Sequence, residues 1–444
     1  MEKSEKSHVR YLIVLMLFIA STISYGDRVV LSLAADNLNH DLHIDVLHLG
    51  YLFSAFGWAY VAAQLPAGGL LDRFGSKLIY GVSIVCWSVS ALLAGLTGYL
   101  PVALAFYVLF ALRLISGLAQ APVFPGNGRI VAAWFPTSER GRASAIFNAS
   151  QYFSLVIFAP IMGWIVHAWG WKECFWFAGA IGLALGAFWF RTIDGVRTHP
   201  RISAAEIEYI EGGGGLVSLD GKARAHGNTL TWSAICWLLR HRMLVGIYIG
   251  QYCITTLTWF FLTWFPIYLS QSRHISIVKV GILSALPALC GFAGGILGGV
   301  VSDRLLQSGH SLSFARKAPI VLGMAMAMSM VACNYVSTSM AVMLLMSFAF
   351  FGKGFGALGW TVISDTSPKG LVGINGGLFN LIGNLAGVTT PLVIGWIVKD
   401  TGSFHYALIF VAATALMAIV AYLPIVGEIR RLDTTTDPVP GMRV

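Results

Sequence analysis

Twelve stretches of this chain are apolar over roughly 18 to 25 residues or more, each long enough to cross a hydrocarbon core of about 30 Å. They run over 11–35, 47–71, 78–98, 101–126, 142–165, 172–193, 243–270, 279–302, 316–335, 339–364, 371–398 and 404–427. Backbone N–H and C=O groups in lipid must be satisfied within the segment, so the runs are expected to be helices, giving an all-α membrane protein with twelve transmembrane helices. Composition agrees: 57% of residues are hydrophobic and 11% charged, against about 25% charged in an ordinary soluble domain. The first run follows "MEKSEKSHVR" without an A-x-A-like cleavage site, so it reads as a retained span.

Lysines and arginines set the expected orientation. With the N-terminus inside, Lys3, Lys6, Arg10, Arg73, Lys77, Arg129, Arg140, Arg142, the seven cations between 191 and 242, Arg304, Arg316, Lys317, Lys369 and the C-terminal arginines are cytoplasmic. Only Lys172, Arg273, Lys279 and Lys399 fall outside, so both termini are expected in the cytoplasm of a bacterial inner-membrane protein. The net charge of +9 is then mostly topogenic, and no nucleic-acid partner is inferred from it. Six cysteines are scattered singly and read as packing residues; His40, His43 and His48 read as a solvated external loop, so neither a metal nor another cofactor is expected.

The chain repeats itself. "PAGGLLDRFGSK" sets Gly68 four residues before Asp72-Arg73, and "GGVVSDRLL" sets Gly299 four before Asp303-Arg304. Phe147-Asn148 recurs at Phe379-Asn380 and "GWIV" at 163–166 recurs at 395–398, always 231 or 232 residues on. Two six-helix halves, 1–193 and 243–444, are therefore expected, joined by a flexible cytoplasmic linker over 194–242 that contains "EGGGGLVSLDGKARAHGN". This organisation and the "GGLLDRFGSK" loop resemble the major facilitator superfamily, which implies a substrate site at mid-membrane between halves and a cytoplasmic gate at Asp72-Arg73 and Asp303-Arg304.

Ionisable groups deep in a span cost at least about 2.5 kcal/mol each and persist where they face a cavity. Here they are Asp27 and Arg28 in the first run, Arg113 in the fourth and Lys353 in the tenth, an excess of positive charge suited to an anion. Arg113 and Gln120 lie two turns apart on one helix face. Arg113 either holds a substrate carboxylate or pairs permanently with Asp27; one aspartate cannot neutralise two arginines, which favours binding. Asp27 and Arg28 are adjacent, diverge by about 100°, and are not expected to share one contact. Lys353 sits between Gly352 and Gly354, expected to open room beside its stem, and a second cation suits a dicarboxylic sugar acid.

A closer resemblance is carried by "YGDR" at 25–28, "GYLFSAFGWAYVAAQLPAGGLLDRFGS", "QAPVFPGNGRIVAAWFP", "WFFLTWFPIYL" and "FFGKGFGALGW". Over nearly its whole length the chain is similar to the anion:cation symporter family, in its bacterial sugar-acid branch of galactonate, glucarate and galactarate transporters. The resemblance implies proton coupling at Asp27, binding and gating at Arg28, and a cavity lined by Tyr25, Tyr60, Gln151 and Asn380, with Trp360 stacking on the carbon skeleton. The family usually has a second proton-carrying glutamate where this chain has Gln120, which hydrogen-bonds a substrate but carries no proton. The expectation is a monomeric importer of an aldarate such as glucarate or galactarate, driven by protons. Its rivals are a galactonate-type symporter, an uncoupled facilitator or antiporter, and more remotely a membrane sensor; no catalytic constellation suggests an enzyme.

Overall fold

A computed structural model describes residues 7–219, 232–368 and 371–432. The topogenic Lys3, Lys6, Lys222, Arg224, Lys369 and Arg443, linker residues 220–231 and the tail from 433 lie outside the described residues. Among the described residues, twelve helices are long and apolar enough to cross a membrane: α1 (Val9–Leu33), α2 (Val46–Gln64), α3 (Ser76–Tyr99), α4 (Val102–Trp134), α5 (Arg140–Ala168), α6 (Trp171–Thr192), α7 (Arg242–Ser272), α8 (Ile277–Gln307), α9 (Leu312–Asn334), α10 (Ser339–Thr366), α11 (Val372–Thr401) and α12 (His405–Ile425). They match the twelve apolar runs of the sequence to within a few residues at most ends.

Several spans are interrupted. In α4 a helix Val102–Gln120 ends in a turn at Ala121-Pro122 before a second segment, Val123–Trp134. Pro122 has no N–H to continue the ladder. In α10 a 3₁₀ turn, Gly356–Leu358, separates Ser339–Phe355 from Gly359–Thr366, and in α7 π-helical turns flank Pro266. Such departures from α geometry in a membrane are tolerated where neighbouring protein satisfies the freed backbone, and they recur at functional segments.

The described residues of 1–44 and 58–227 form one compact unit, and those of 45–57 and 228 onward form a second. The first unit includes the described stretch after α6, and the start of α2 groups with the second. There a Cβ on Gly57 would lie 2.4 Å from Gly387 O, and Ser54 Oγ donates to Val388 O at 2.9 Å. The second unit relies on the same close backbone approach elsewhere, as small residues permit in membranes. A Cβ on Gly354 would lie 2.3 Å from Gly291 O, and one on Gly352 2.3 Å from Gly323 O. These glycines are thus taken up by the crossings of α10 with α8 and α9, not by room for the Lys353 stem.

The stretch after α6, read from sequence as flexible linker, is folded over its described part. Helix Ala204–Gly212 is capped by Ser203, and the glycines behind it form a docked turn. Gly214 has φ +84°, Gly213 approaches Pro136 too closely for any Cβ, and Thr137 N donates to Gly213 O at 2.8 Å. At the start of α1, Glu206 is fully buried and accepts from Ser7 Oγ (2.6 Å), Val9 N (3.1 Å), Arg10 N (3.3 Å) and Arg10 Nη1 (3.0 Å). It caps the first N–H groups of that helix, which have no partner within the helix, and its negative charge is favoured by the positive end of the helix dipole. Arg10 Nε reaches Glu139 at 3.1 Å, and Tyr209 OH donates to the same carboxylate at 2.8 Å. Burial pushes the Glu139 carboxyl up, but these hydrogen bonds outweigh it and hold the group below its ordinary range.

The stretch expected as a loop is largely helical: His40 lies in helix Ala35–Leu42 and His48 in the first turn of α2, with His43 between them at φ 51°. His40 pairs with Asp41 at 2.8 Å, Asp41 accepts from Trp171 Nε1 at 2.9 Å, and His48 Nδ1 meets Asp45 at 2.7 Å. Among the described residues no group of three or more metal-ligating side chains is gathered.

Glu206→Ala is expected to destabilise the protein by about 3 to 5 kcal/mol, because it leaves Arg10 and the first turn of α1 buried without their acceptor. Thermal unfolding in detergent checks this, with exposed Glu211→Ala as the control expected to change little.

Candidate functional site

In the first unit, α1 presents Ser24, Asp27 and Arg28 at helical spacing, and α4 buries one face that includes Leu109, Arg113, Ser116, Gly117 and Gln120. Gln120 is the last residue before the Pro122 break and is wholly buried. Its Nε2 donates to Asp27 Oδ2 at 2.8 Å, while its Oε1 accepts from Ser24 Oγ at 2.9 Å and Arg28 Nε at 3.0 Å. Asp27 and Arg28 therefore do meet on one residue, contrary to the expected divergence. The long arginine side chain spans the angle, and a glutamine offers a donor to one neighbour and an acceptor to the other. Gln120, expected as a ligand contact, has both amide heads engaged with its own protein.

Arg28 Cζ lies 4.6 Å from the Tyr25 ring centroid and 5.0 Å from that of Tyr60, so two aromatic faces hold the guanidinium. Arg113 is buried and acts electrostatically with both Asp27 and Arg28. With all three groups in their ordinary ionised forms, Asp27, Arg28 and Arg113 sum to one net positive charge at a buried position. One turn away on α1, Ser21 Oγ accepts from Asn127 Nδ2 at 2.8 Å, and Tyr80 OH donates to Asn127 Oδ1 at 3.0 Å. These polar bonds tie α1, α3 and α4 on both sides of the α4 break. Ser21, Ser24, Tyr80 and Asn127 were not among the expected residues, although the spacing of Ser21, Ser24 and Arg28 on α1 was a readable signal. Gln151 is half-buried and donates to Asn148 O in its own helix at 3.3 Å.

In the second unit, Lys353 is buried just before the α10 interruption, with Nζ 5.1 Å from the Phe350 ring centroid. Trp360, beyond the interruption, meets Phe379 edge-on at 4.8 Å and remains 40% exposed. Asn380, the next residue of α11, accepts from Asn384 Nδ2 at 3.1 Å. α7 adds a stripe that the sequence reading passed over: Tyr248, Gln251, Tyr252 and Thr255. Tyr248 OH donates to Asn375 Oδ1, Tyr252 OH bonds Thr389 Oγ1 at 2.6 Å, and Gln251 lies against Gly359 and Gly383.

The expected gate pairs resolve differently. Adjacent helix residues point apart, so each aspartate pairs with an arginine from another helix. Asp72 accepts from Arg129 at the far end of α4, and Arg73 lies over Phe74 at 5.2 Å. Asp303 accepts from Arg316 Nη1 at 3.4 Å, and Arg316 Nε also donates to Asp365 at 2.9 Å. Arg304, like Arg73, is exposed. Equivalent positions of the repeat thus enter interhelical ion pairs in both units, through Arg129 and Arg316, expected only as topogenic charges, and through Asp365.

Residues 17–391 match the model of the Major Facilitator Superfamily. The chain is 55% identical over 428 residues to the probable galactarate/D-glucarate transporter GudP of Bacillus subtilis (strain 168), covering 96% of this chain and 94% of that one. It is 51% identical over 436 residues to the probable galactarate/D-glucarate transporter GarP of Escherichia coli (strain K12), covering 97% and 98%. In fold it is similar to the crystal structure of a D-xylose-proton symporter, with a TM-score of 0.73 at 14% identity over 95% of this chain and 99% of that one. Its relatives are bacterial transporters, not enzymes, and its twelve spans make it a multi-pass protein of the bacterial inner membrane. The chain belongs to the Major Facilitator Superfamily.

Proposed function

We propose that this protein imports an aldarate, glucarate or galactarate in kind, by alternating access, with both termini in the cytoplasm and protons as the coupling ion. The observation that carries the reading is the buried cluster of Asp27, Arg28 and Arg113, whose net positive charge calls for an anion. The names of the relatives support a sugar acid as that anion. In this reading Arg113 and Arg28 receive one carboxylate, and Lys353 serves the second. Tyr25, Tyr60, Gln151, Trp360 and Asn380 read the hydroxyls and the carbon skeleton. Asp27 carries the proton, and the ion pairs of Asp72 and Asp303 hold the cytoplasmic gate, with Arg73 and Arg304 beside them. A monomer is sufficient for all of these roles.

The amide at Gln120 favours a second reading of the energetics, in which the same cavity moves substrate with little proton-driven accumulation. With Asp27 as the one carrier, a dianion enters with a net charge of −1. Moving that charge against an inside-negative potential costs about 2.3 kcal/mol per 100 mV, while one pH unit supplies about 1.4 kcal/mol per proton.

Three outcomes test these readings in proteoliposomes. Arg113→Lys should weaken uptake by about tenfold or more, although charge is kept, because lysine lacks the bidentate fork; wild-type affinity would make Arg113 purely structural. Lys353→Asn should shift competition from glucarate toward galactonate, and an unchanged affinity ratio would remove the case for a second carboxylate contact. With the potential clamped by potassium and valinomycin at a fixed pH gradient, wild-type accumulation of a dianion should fall as the interior is made more negative, and Gln120→Glu should improve it. Accumulation that instead rises with interior negativity requires at least three protons per substrate, and hence other carriers.

A further inference from the structure

Trp232–Arg240 is a separate nine-residue helix ahead of α7, and its two faces differ. Ala234, Ile235, Trp237 and Leu238 are buried where it packs against α7 and α11. Trp232 and Leu239, two turns apart and hence on one stripe, are 74% and 43% exposed. Cys236 lies between them, partly exposed, and exposed Arg240 borders the stripe.

The level of this helix in the membrane is fixed by what adjoins it. His241 alone separates Arg240 from the first residue of α7, and its ring lies 4.1 Å from that of Trp237. Arg242 Nη2 donates to Pro424 O at 2.8 Å, so the start of α7 and the end of α12 share one height. An exposed tryptophan–leucine stripe one residue from a span suits the boundary between water and hydrocarbon. Tryptophan favours the headgroup level, where its ring is apolar and its N–H stays wet. Arg240 and Arg242 flank His241 at the junction, and residues 232–302 contain no aspartate or glutamate.

We propose that helix Trp232–Arg240 is an interfacial anchor, with Trp232 and Leu239 set into the boundary between headgroups and acyl chains and Arg240 binding the phosphate of an anionic phospholipid. This site is independent of the transported substrate.

The full-length protein in nanodiscs tests it. The emission difference between wild type and Trp232→Phe isolates Trp232, a substitution that its exposure makes harmless to folding. Brominated phosphatidylglycerol should quench that component about twofold more than brominated phosphatidylcholine at equal mole fraction. Arg240→Gln should abolish the excess while leaving quenching by phosphatidylcholine in place. Quenching by aqueous iodide but by neither lipid would put the stripe in water and overturn the proposal. Equal quenching by both lipids in wild type would overturn anionic recognition. A signal that changes with the number of protein copies per disc would assign the stripe to a second copy and also overturn it.

Discussion

Two guanidinium groups and one carboxylate buried in apolar helices constrain everything around them. Removing charges from water costs several kcal/mol per ion even after relaxation, so each must be met by hydrogen bonds, aromatic faces or a counter-charge. Here Gln120 ties Asp27 to Arg28, Tyr25 and Tyr60 cover the Arg28 guanidinium, and Arg113 sits within reach of both charges. The break in α4 directly after Gln120 follows from the same demand, because Pro122 ends the helix where its last side chain must serve α1. The arrangement leaves a positive charge that an anionic substrate can meet and a neutral one cannot.

Much of this was legible in the sequence for a simple reason. Membrane insertion restricts a chain to long apolar segments, and an ionisable residue inside one is conspicuous against that background. The twelve spans and the positions of Asp27, Arg28, Arg113 and Lys353 within them come from this contrast. Partner choice did not, since it depends on how helices rotate against one another. Asp72 and Asp303 stand out in the repeat, but nothing in one dimension marks Arg129 and Arg316 as their partners or joins Ser21, Asn127 and Tyr80.

Glycine misled in two opposite ways. The run at 212–215 suggested flexibility, yet it is a turn held by Thr137 and Arg140, with one residue at a positive φ that side-chain-bearing residues rarely adopt. Gly352 and Gly354 suggested spare volume beside Lys353, yet they bring three helices into backbone contact. A glycine marks a missing side chain, and only the neighbours decide whether the space is empty or used.

The burial of Glu206 also sets an order of events during synthesis. Its bonds to Ser7, Val9 and Arg10 close a loop of 196 to 199 residues in the first unit. At about 5 to 20 residues per second, the first helix waits roughly 10 to 40 s for its cap to emerge. Six spans have been made by then, and α7 has not begun. The first unit thus gains this closing bond before most of the second has been made.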